Sequence, residues 1–182
     1  MKMSWKNSFN RRTGSLALAG LVLLVTIMAL QGCSEGGTKR SLIVVGSPAP
    51  SFTIELFDGN KWTLEDHGGK PIVIAFMASW CPCSNESIPF IKEAYERYNP
   101  QGVEFLLIGI QDSAEKFRNF LEERDVTIPA GYDTDDTIAA LYGVDAPPVT
   151  IFIDREQKVK RVYFGNIKEA GKEYFSWIEE VR

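Results

Sequence analysis

The chain has 182 residues, enough for one domain with its own core, with 20 basic and 24 acidic side chains and a formal net charge of −4. An acidic balance of this kind argues against nucleic acid as a partner, because nothing supplies the Lys/Arg stripe that phosphate binding requires. The three cysteines are Cys33, Cys81 and Cys83.

The N-terminus sets the compartment. Lys2, Lys6, Arg11 and Arg12 precede an uncharged apolar run over residues 16–30, shorter than the ~20 residues that span a bilayer comfortably. The pattern is that of a signal peptide over residues 1–32. It ends in "LQGCS", which resembles the bacterial lipobox and by that resemblance makes Cys33 the lipid-modified N-terminus of an extracytoplasmic, membrane-anchored protein. The alternative is an uncleaved anchor helix, which also leaves the domain outside the cytoplasm. Removing residues 1–32 takes away four basic residues and no acidic one, so sixteen basic face twenty-four acidic side chains, a net charge near −8. Residues 33–45 are read as the lipidated cysteine and a short tether, and residues 46–182 as the folded domain.

Within the domain, "PIVIAFMA" from Pro71 is a continuous apolar, β-branched run that suits a central strand buried on both faces. "VEFLLIGI" from Val103 and "VTIFID" from Val149 read the same way. Helical spacing of apolar residues predicts helices over residues 84–98, 113–124 and 133–142, the first burying Ile88, Ile91, Ala94, Tyr95 and Tyr98. "VKRVYFG" predicts a last strand, and Tyr174, Trp177, Ile178 and Val181 form the buried stripe of a helix over residues 167–181. The alternation predicts an α/β fold, a mixed sheet covered by helices on both faces.

Chemistry concentrates in "FMASWCPCSNESIP", residues 76–89. If Cys33 is lipidated, Cys81 and Cys83 are the remaining thiols, in a compartment where disulfides persist. Two cysteines so close cannot staple a fold, since they close almost no loop. Cys81 follows a buried strand and precedes Pro82, which places Cys81 at a helix N-cap and Pro82 at the first helical position, where a missing N–H costs nothing. A thiolate there faces unpaired backbone N–H groups and the positive end of the helix dipole, so Cys81 is the candidate nucleophile. Residues two apart on a helix point about 200° away from each other. Closing a Cys81–Cys83 disulfide is therefore expected to strain the oxidised form and make it easily reduced.

Four segments in order, "GSPAPSFTIELFDGNKWTL", "GGKPIVIAFMASWCPC", "YGVDAPPVTIFID" and "VYFG", resemble the TlpA-like extracytoplasmic thiol-disulfide oxidoreductases of the thioredoxin superfamily. The resemblance implies a thioredoxin-like three-layer sandwich, Cys81 and Cys83 as the redox pair, Trp80 packed beside the thiol, and Pro148 as a cis-proline lying against the cysteines. It implies protein thiols and disulfides as substrates, a redox-recycling partner, and neither metal nor cofactor. Three features depart from the group. The cysteine spacing is shorter by one, so that either Cys83 or Ser84 takes the second-cysteine position. The strand position near Ala75 is apolar where thioredoxin buries an acidic residue, which leaves Glu86 as the nearest candidate for proton transfer. Pro147 precedes the cis-proline, which points to an altered substrate groove.

Two other functions fit the same fold. A thiol peroxidase needs Thr and Pro where Ala78 and Ile74 stand. A Cu(I) chaperone would add a histidine to the cysteine pair, and the one histidine, His67, lies in the Gly-rich "DHGGK" segment.

Overall fold

The structure is a computed structural model that describes residues 43–182; the segment expected to be a signal peptide, Cys33 and most of the expected tether lie outside the described residues. The domain begins with a small antiparallel hairpin, β1 (Thr53–Glu55) and β2 (Lys61–Thr63), followed by a 3-10 turn over Leu64–His67. Then come β3 (Ile72–Met77), α1 (Pro82–Tyr98), β4 (Glu104–Gly109), α2 (Ala114–Glu122), β5 (Ala130–Tyr132) and α3 (Thr137–Leu141). The chain ends with β6 (Val149–Ile153), β7 (Val159–Phe164), α4 (Ile167–Ala170) and α5 (Lys172–Val181).

The main sheet has the order β5-β4-β3-β6-β7. β3, β4 and β5 run parallel, whereas β6 is antiparallel to β3 and β7 antiparallel to β6. All six residues of β3 are buried, as its unbroken apolar run requires of a central strand covered on both faces. Successive side chains alternate between two cores. Val73, Ala75 and Met77 join Ile88 and Ile91 of α1, Phe117 and Phe120 of α2, and Tyr174 and Trp177 of α5. Ile72, Ile74 and Phe76 join Ile54 and Trp62 of the hairpin and Ile138 and Tyr142 at α3. Each such large apolar side chain contributes about 1.5–3 kcal/mol by leaving water. The expected α/β sandwich with a mixed sheet is the observed fold, and the hairpin shares the second face with the short α3.

Three details differ from the sequence expectation. The helix expected over residues 167–181 breaks at Gly171, whose φ of 54° no regular right-handed helix contains, giving α4 and α5. The helix expected over residues 133–142 contracts to α3, because the Asp133 carboxylate turns back to accept from the Thr137 and Ala139 amides at 3.0 and 2.8 Å, ahead of a left-handed Asp136. The strands β1, β2 and β5 lack a periodic signal. β5 carries Gly131 because the hairpin crosses so close that a Cβ would sit 2.6 Å from the Glu55 carbonyl.

Candidate active site

Strand β3 ends at Met77, and residues 78–81 turn into α1, with the Cys81 amide donating to the Ala78 carbonyl at 3.2 Å. Cys81 is the N-cap of α1 in extended conformation, φ −87° and ψ 118°, and Pro82 is its first residue, as expected. Phe76 pairs with Val149 in the adjacent β6, so the segment entering β6 arrives beside the end of β3. That segment holds a cis peptide between Pro147 and Pro148. The Cys81 sulfur faces the Pro147 carbonyl at 3.6 Å. The expected juxtaposition of the thiol with the cis-proline loop is present.

The two cysteines differ in setting. Both are free thiols; Cys81 is buried at 7% exposure and Cys83 is exposed. Ser84, the competitor of Cys83 for the second-cysteine position, is wholly buried, and its hydroxyl accepts from the Ala78 amide at 3.2 Å. The interior place behind the turn thus belongs to Ser84, and the second sulfur is displaced to the surface. The Cys83 thiol is pushed up from its ordinary value, first by partial desolvation and then by the negative charge of Cys81, Glu86 and Glu169 around it.

Glu86 is exposed on α1 just past its first turn. It accepts from the Asn166 amide at 2.8 Å and pairs with Lys168 at 3.3 Å, and these partners lower its pKa, the Asn166 hydrogen bond first. Glu86 is therefore held as a carboxylate beside Cys83. Ser87 links the same turn to α4: its hydroxyl reaches the Cys83 carbonyl at 2.7 Å and accepts from the Ile167 amide at 3.0 Å.

On the other side of the thiol, Trp80 is 58% exposed while its indole N–H donates to the Gln111 carbonyl at 2.7 Å. Gln111 follows β4 with φ 52°; its side-chain amide donates to the Asp145 carbonyl at 2.8 Å and its own N–H to Asp136 at 2.9 Å. Asp112 accepts from the Ser79 amide at 2.7 Å. Sequence reasoning missed Gln111, Asp112, Ser87 and Asn166. Only Asn166 had a legible signal, an Asn directly before a helix, and it caps α4 by accepting from the Lys168 amide. His67 precedes β3, whereas Cys81 follows its far end, so about 20 Å of strand separates the histidine from the thiols. It does not join them as a ligand.

Residues 45–162 match the model of the AhpC/TSA family. The chain is 32% identical over 161 residues to the thiol-disulfide oxidoreductase ResA of Geobacillus thermodenitrificans, covering 87% of this chain and 92% of that protein. It is 33% identical over 152 residues to ResA of Bacillus subtilis, covering 82% and 84% respectively. Among solved structures, a candidate DsbE-type thiol:disulfide interchange protein from Chlorobium tepidum superposes with a TM-score of 0.72 at 23% identity, over 76% of this chain and 98% of that one, and so supports the fold. With the thiol at a helix N-terminus against a cis-proline, these relationships make the chain a thiol-disulfide oxidoreductase, and it belongs to the AhpC/TSA family of the thioredoxin superfamily alongside the ResA proteins.

Proposed function

We propose that this chain is a membrane-tethered, extracytoplasmic thiol-disulfide oxidoreductase in which Cys81 is the nucleophile and Cys83 the resolving thiol. The observation that carries the assignment is the Cys81 sulfur at the N-cap of α1, 3.6 Å from the Pro147 carbonyl of the cis-proline loop. Pro82 starts the helix directly after Cys81, so the thiol sits at the helix N-terminus. The export-type N-terminus and the lipobox-like "LQGCS" support the location and the anchor at Cys33.

In the reductive direction the Cys81 thiolate attacks one sulfur of a substrate disulfide. That S–S bond breaks, the other substrate sulfur leaves as a thiolate and takes a proton from solvent, and a Cys81–substrate mixed disulfide forms. Cys83, after losing its proton, then attacks Cys81, releasing the second substrate thiol. The protein ends two electrons oxidised and the substrate two electrons reduced. A second thiol-disulfide partner restores the dithiol, and the oxidative direction is the reverse of these steps. Trp80 and Pro82 frame the nucleophile, Ser84 fixes the turn beneath it, Pro148 shapes the loop opposite, and Glu86 is the carboxylate nearest the resolving thiol.

The test is substrate trapping. Cys83→Ala should accumulate mixed disulfides with extracytoplasmic proteins, identifiable by mass spectrometry, and Cys81→Ala should accumulate none. Equal trapping by both variants would overturn the assignment of roles.

A further inference from the structure

The end of the main sheet away from Cys81 carries an exposed apolar turn. The Ser47 amide donates to the Val44 carbonyl at 3.0 Å and closes the turn, with Gly46 at φ 93°. Val44 is left 63% and Val45 59% exposed. Four large apolar side chains are exposed among the described residues, and these are the two that adjoin in the chain. The ladder fixes where the turn lies. The Gly46 amide donates to the Val159 carbonyl at 2.7 Å, and the Val159 amide to the Ser47 carbonyl at 2.9 Å. Val159 pairs with Ile153, and Ile153 with Ile72, the first residue of β3. Cys81 follows the far end of that strand, so about 20 Å of strand separates the turn from the nucleophile.

The chain leaves toward Cys33 from this same end. Ten residues lie between Cys33 and Val44, so even a fully extended chain keeps the turn within about 40 Å of an acyl group on Cys33. A bilayer held that close is presented to the turn at high effective concentration, and contacts too weak to recruit a free protein suffice to dock a tethered one. The charge here also fits an anionic lipid surface, although the domain as a whole is acidic. The segment joining β6 to β7 exposes Arg155 and Lys158 against one acid, Glu156, and Lys39 and Arg40 precede the valines in sequence. Lys158 lies opposite Pro48 in an isolated bridge beside the turn and pairs with no acid among the described residues. Lys160, by contrast, is 3.1 Å from Asp154, and Lys70 is 2.6 Å from Glu104.

We propose that the Val44–Val45 turn and Lys158 form a membrane-docking surface, on which the domain rests against the anionic bilayer that holds its acyl anchor. The valines enter the headgroup boundary and Lys158 meets lipid phosphate. Docked in this way, the domain points Cys81 away from the bilayer, so its substrates present their disulfides in the aqueous phase rather than at the lipid surface. Docking rests on the acylation of Cys33 proposed above and adds to it a fixed orientation of the site.

The experiment uses the mature acylated protein reconstituted into vesicles of phosphatidylcholine and phosphatidylglycerol, with plain or brominated acyl chains. Val45→Trp places a fluorophore on the turn. Phe164→Trp places the same fluorophore at the opposite end of the sheet, where Phe164 pairs with Val149 and Val149 with Phe76. Brominated lipid should quench most of the emission that Val45→Trp adds over wild type, and the emission that Phe164→Trp adds should persist. Adding Val44→Asp to Val45→Trp should restore the lost emission while the protein stays on the vesicles. Lys158→Ala in the same background should lower the ratio of docked to free domain about fivefold, the weight of one basic residue at an anionic surface. A Val45→Trp probe that stays bright, equal quenching of the two probes, or quenching that Val44→Asp leaves unchanged would overturn the docking, the last because tethering alone would then account for it. Flotation of the wild type with the vesicles is the separate control: protein that fails to float would refute the anchor itself, and the orientation with it.

Discussion

The Trp80 indole N–H donates to the Gln111 main-chain carbonyl at 2.7 Å, and the Gln111 side-chain amide donates in turn to the Asp145 carbonyl at 2.8 Å. One residue thereby ties the tryptophan before the nucleophile to the loop that carries the cis-proline. Gln111 does so at φ 52°, a region costly for residues with a side chain. Gln111→Ala keeps the backbone cost and loses the bond to Asp145, so unfolding stability should fall by about 1 kcal/mol. Gln111→Gly loses the same bond and gains a residue suited to the conformation, so it should recover part of that loss. Both should raise KM for a polypeptide disulfide more than they lower kcat. Urea unfolding and steady-state kinetics measure these, and variants indistinguishable from wild type in both would show that the tie has no role.

The raised pKa of Cys83 has a kinetic consequence. Below that pKa the thiolate fraction, and with it the alkylation rate, rises tenfold per pH unit, and the rise should continue past the ordinary thiol value of about 8.5. Glu86→Gln removes one of the negative charges that favour the protonated thiol, so the titration midpoint should move down and the rate at a fixed lower pH should increase. Iodoacetamide kinetics on Cys81→Ser and Cys81→Ser/Glu86→Gln give both values. A plateau below the ordinary thiol pH in the single variant would contradict the assignment.

The central strands and long helices were legible because their periodicity extends over whole elements. β3 reads as an unbroken apolar run, and α1 as a helical stripe beginning at a proline. β5 was not legible: its three residues, Ala130–Tyr132, are held by pairing with β4 and by the hairpin that crosses Gly131, contacts distant in sequence. The same distinction applies to the site. Cys81, Pro82 and Pro148 carry local signals in their own dipeptides, whereas Gln111 is positioned by Trp80, Asp136 and Asp145, which lie 25 to 34 residues away in sequence. Nothing in the residues around Gln111 announces that role.

Asp133 is 3% exposed, and its carboxylate accepts from the Thr137 amide and hydroxyl and from the Ala139 amide. Asp133→Ala should unfold more easily by about 1–3 kcal/mol, since buried amides at the start of α3 lose their acceptor. Burial raises the pKa of the carboxyl despite these bonds. A folded-state value above the unfolded one adds stability when the group is protonated, and that contribution is lost as pH rises through the folded value. Asp133→Asn should abolish this component of the acid-range pH dependence while retaining an acceptor. Chemical denaturation at a series of pH values checks it; an unchanged profile in Asp133→Asn would place the dependence elsewhere.

The lipobox-like "LQGCS" predicts acylation at Cys33. Metabolic palmitate labelling should mark the wild type and not Cys33→Ala, and the variant should leave the membrane fraction if cleavage still occurs. Equal labelling of the two would remove the anchor from the proposal.

The spacing of the cysteines sets the last expectation. Cys83 is the second residue of α1, and its carbonyl is engaged by the Ser87 hydroxyl at 2.7 Å. Helical residues two apart point about 200° away from each other, and it is the extended cap conformation of Cys81 that brings its sulfur toward Cys83; joining the two closes a small ring across the start of the helix. That ring pulls on the first turn and the Ser87 bond, and the cost falls on the oxidised form alone. A cost of about 1.4 kcal/mol, the scale of one hydrogen bond, corresponds to about 30 mV in a two-electron couple. The wild-type potential should therefore be more oxidising than that of a variant with one residue inserted after Pro82, which places the cysteines three apart on nearly one face. Ser87→Ala removes part of the restraint and should lower the potential by less than the insertion does. Equilibration with glutathione buffers, read by mass spectrometry as the loss of two hydrogens, measures all three proteins. If the wild type never loses the pair of hydrogens, Cys81 works as a single thiol; if the insertion leaves the potential unchanged, the helical turn is not what opposes closure.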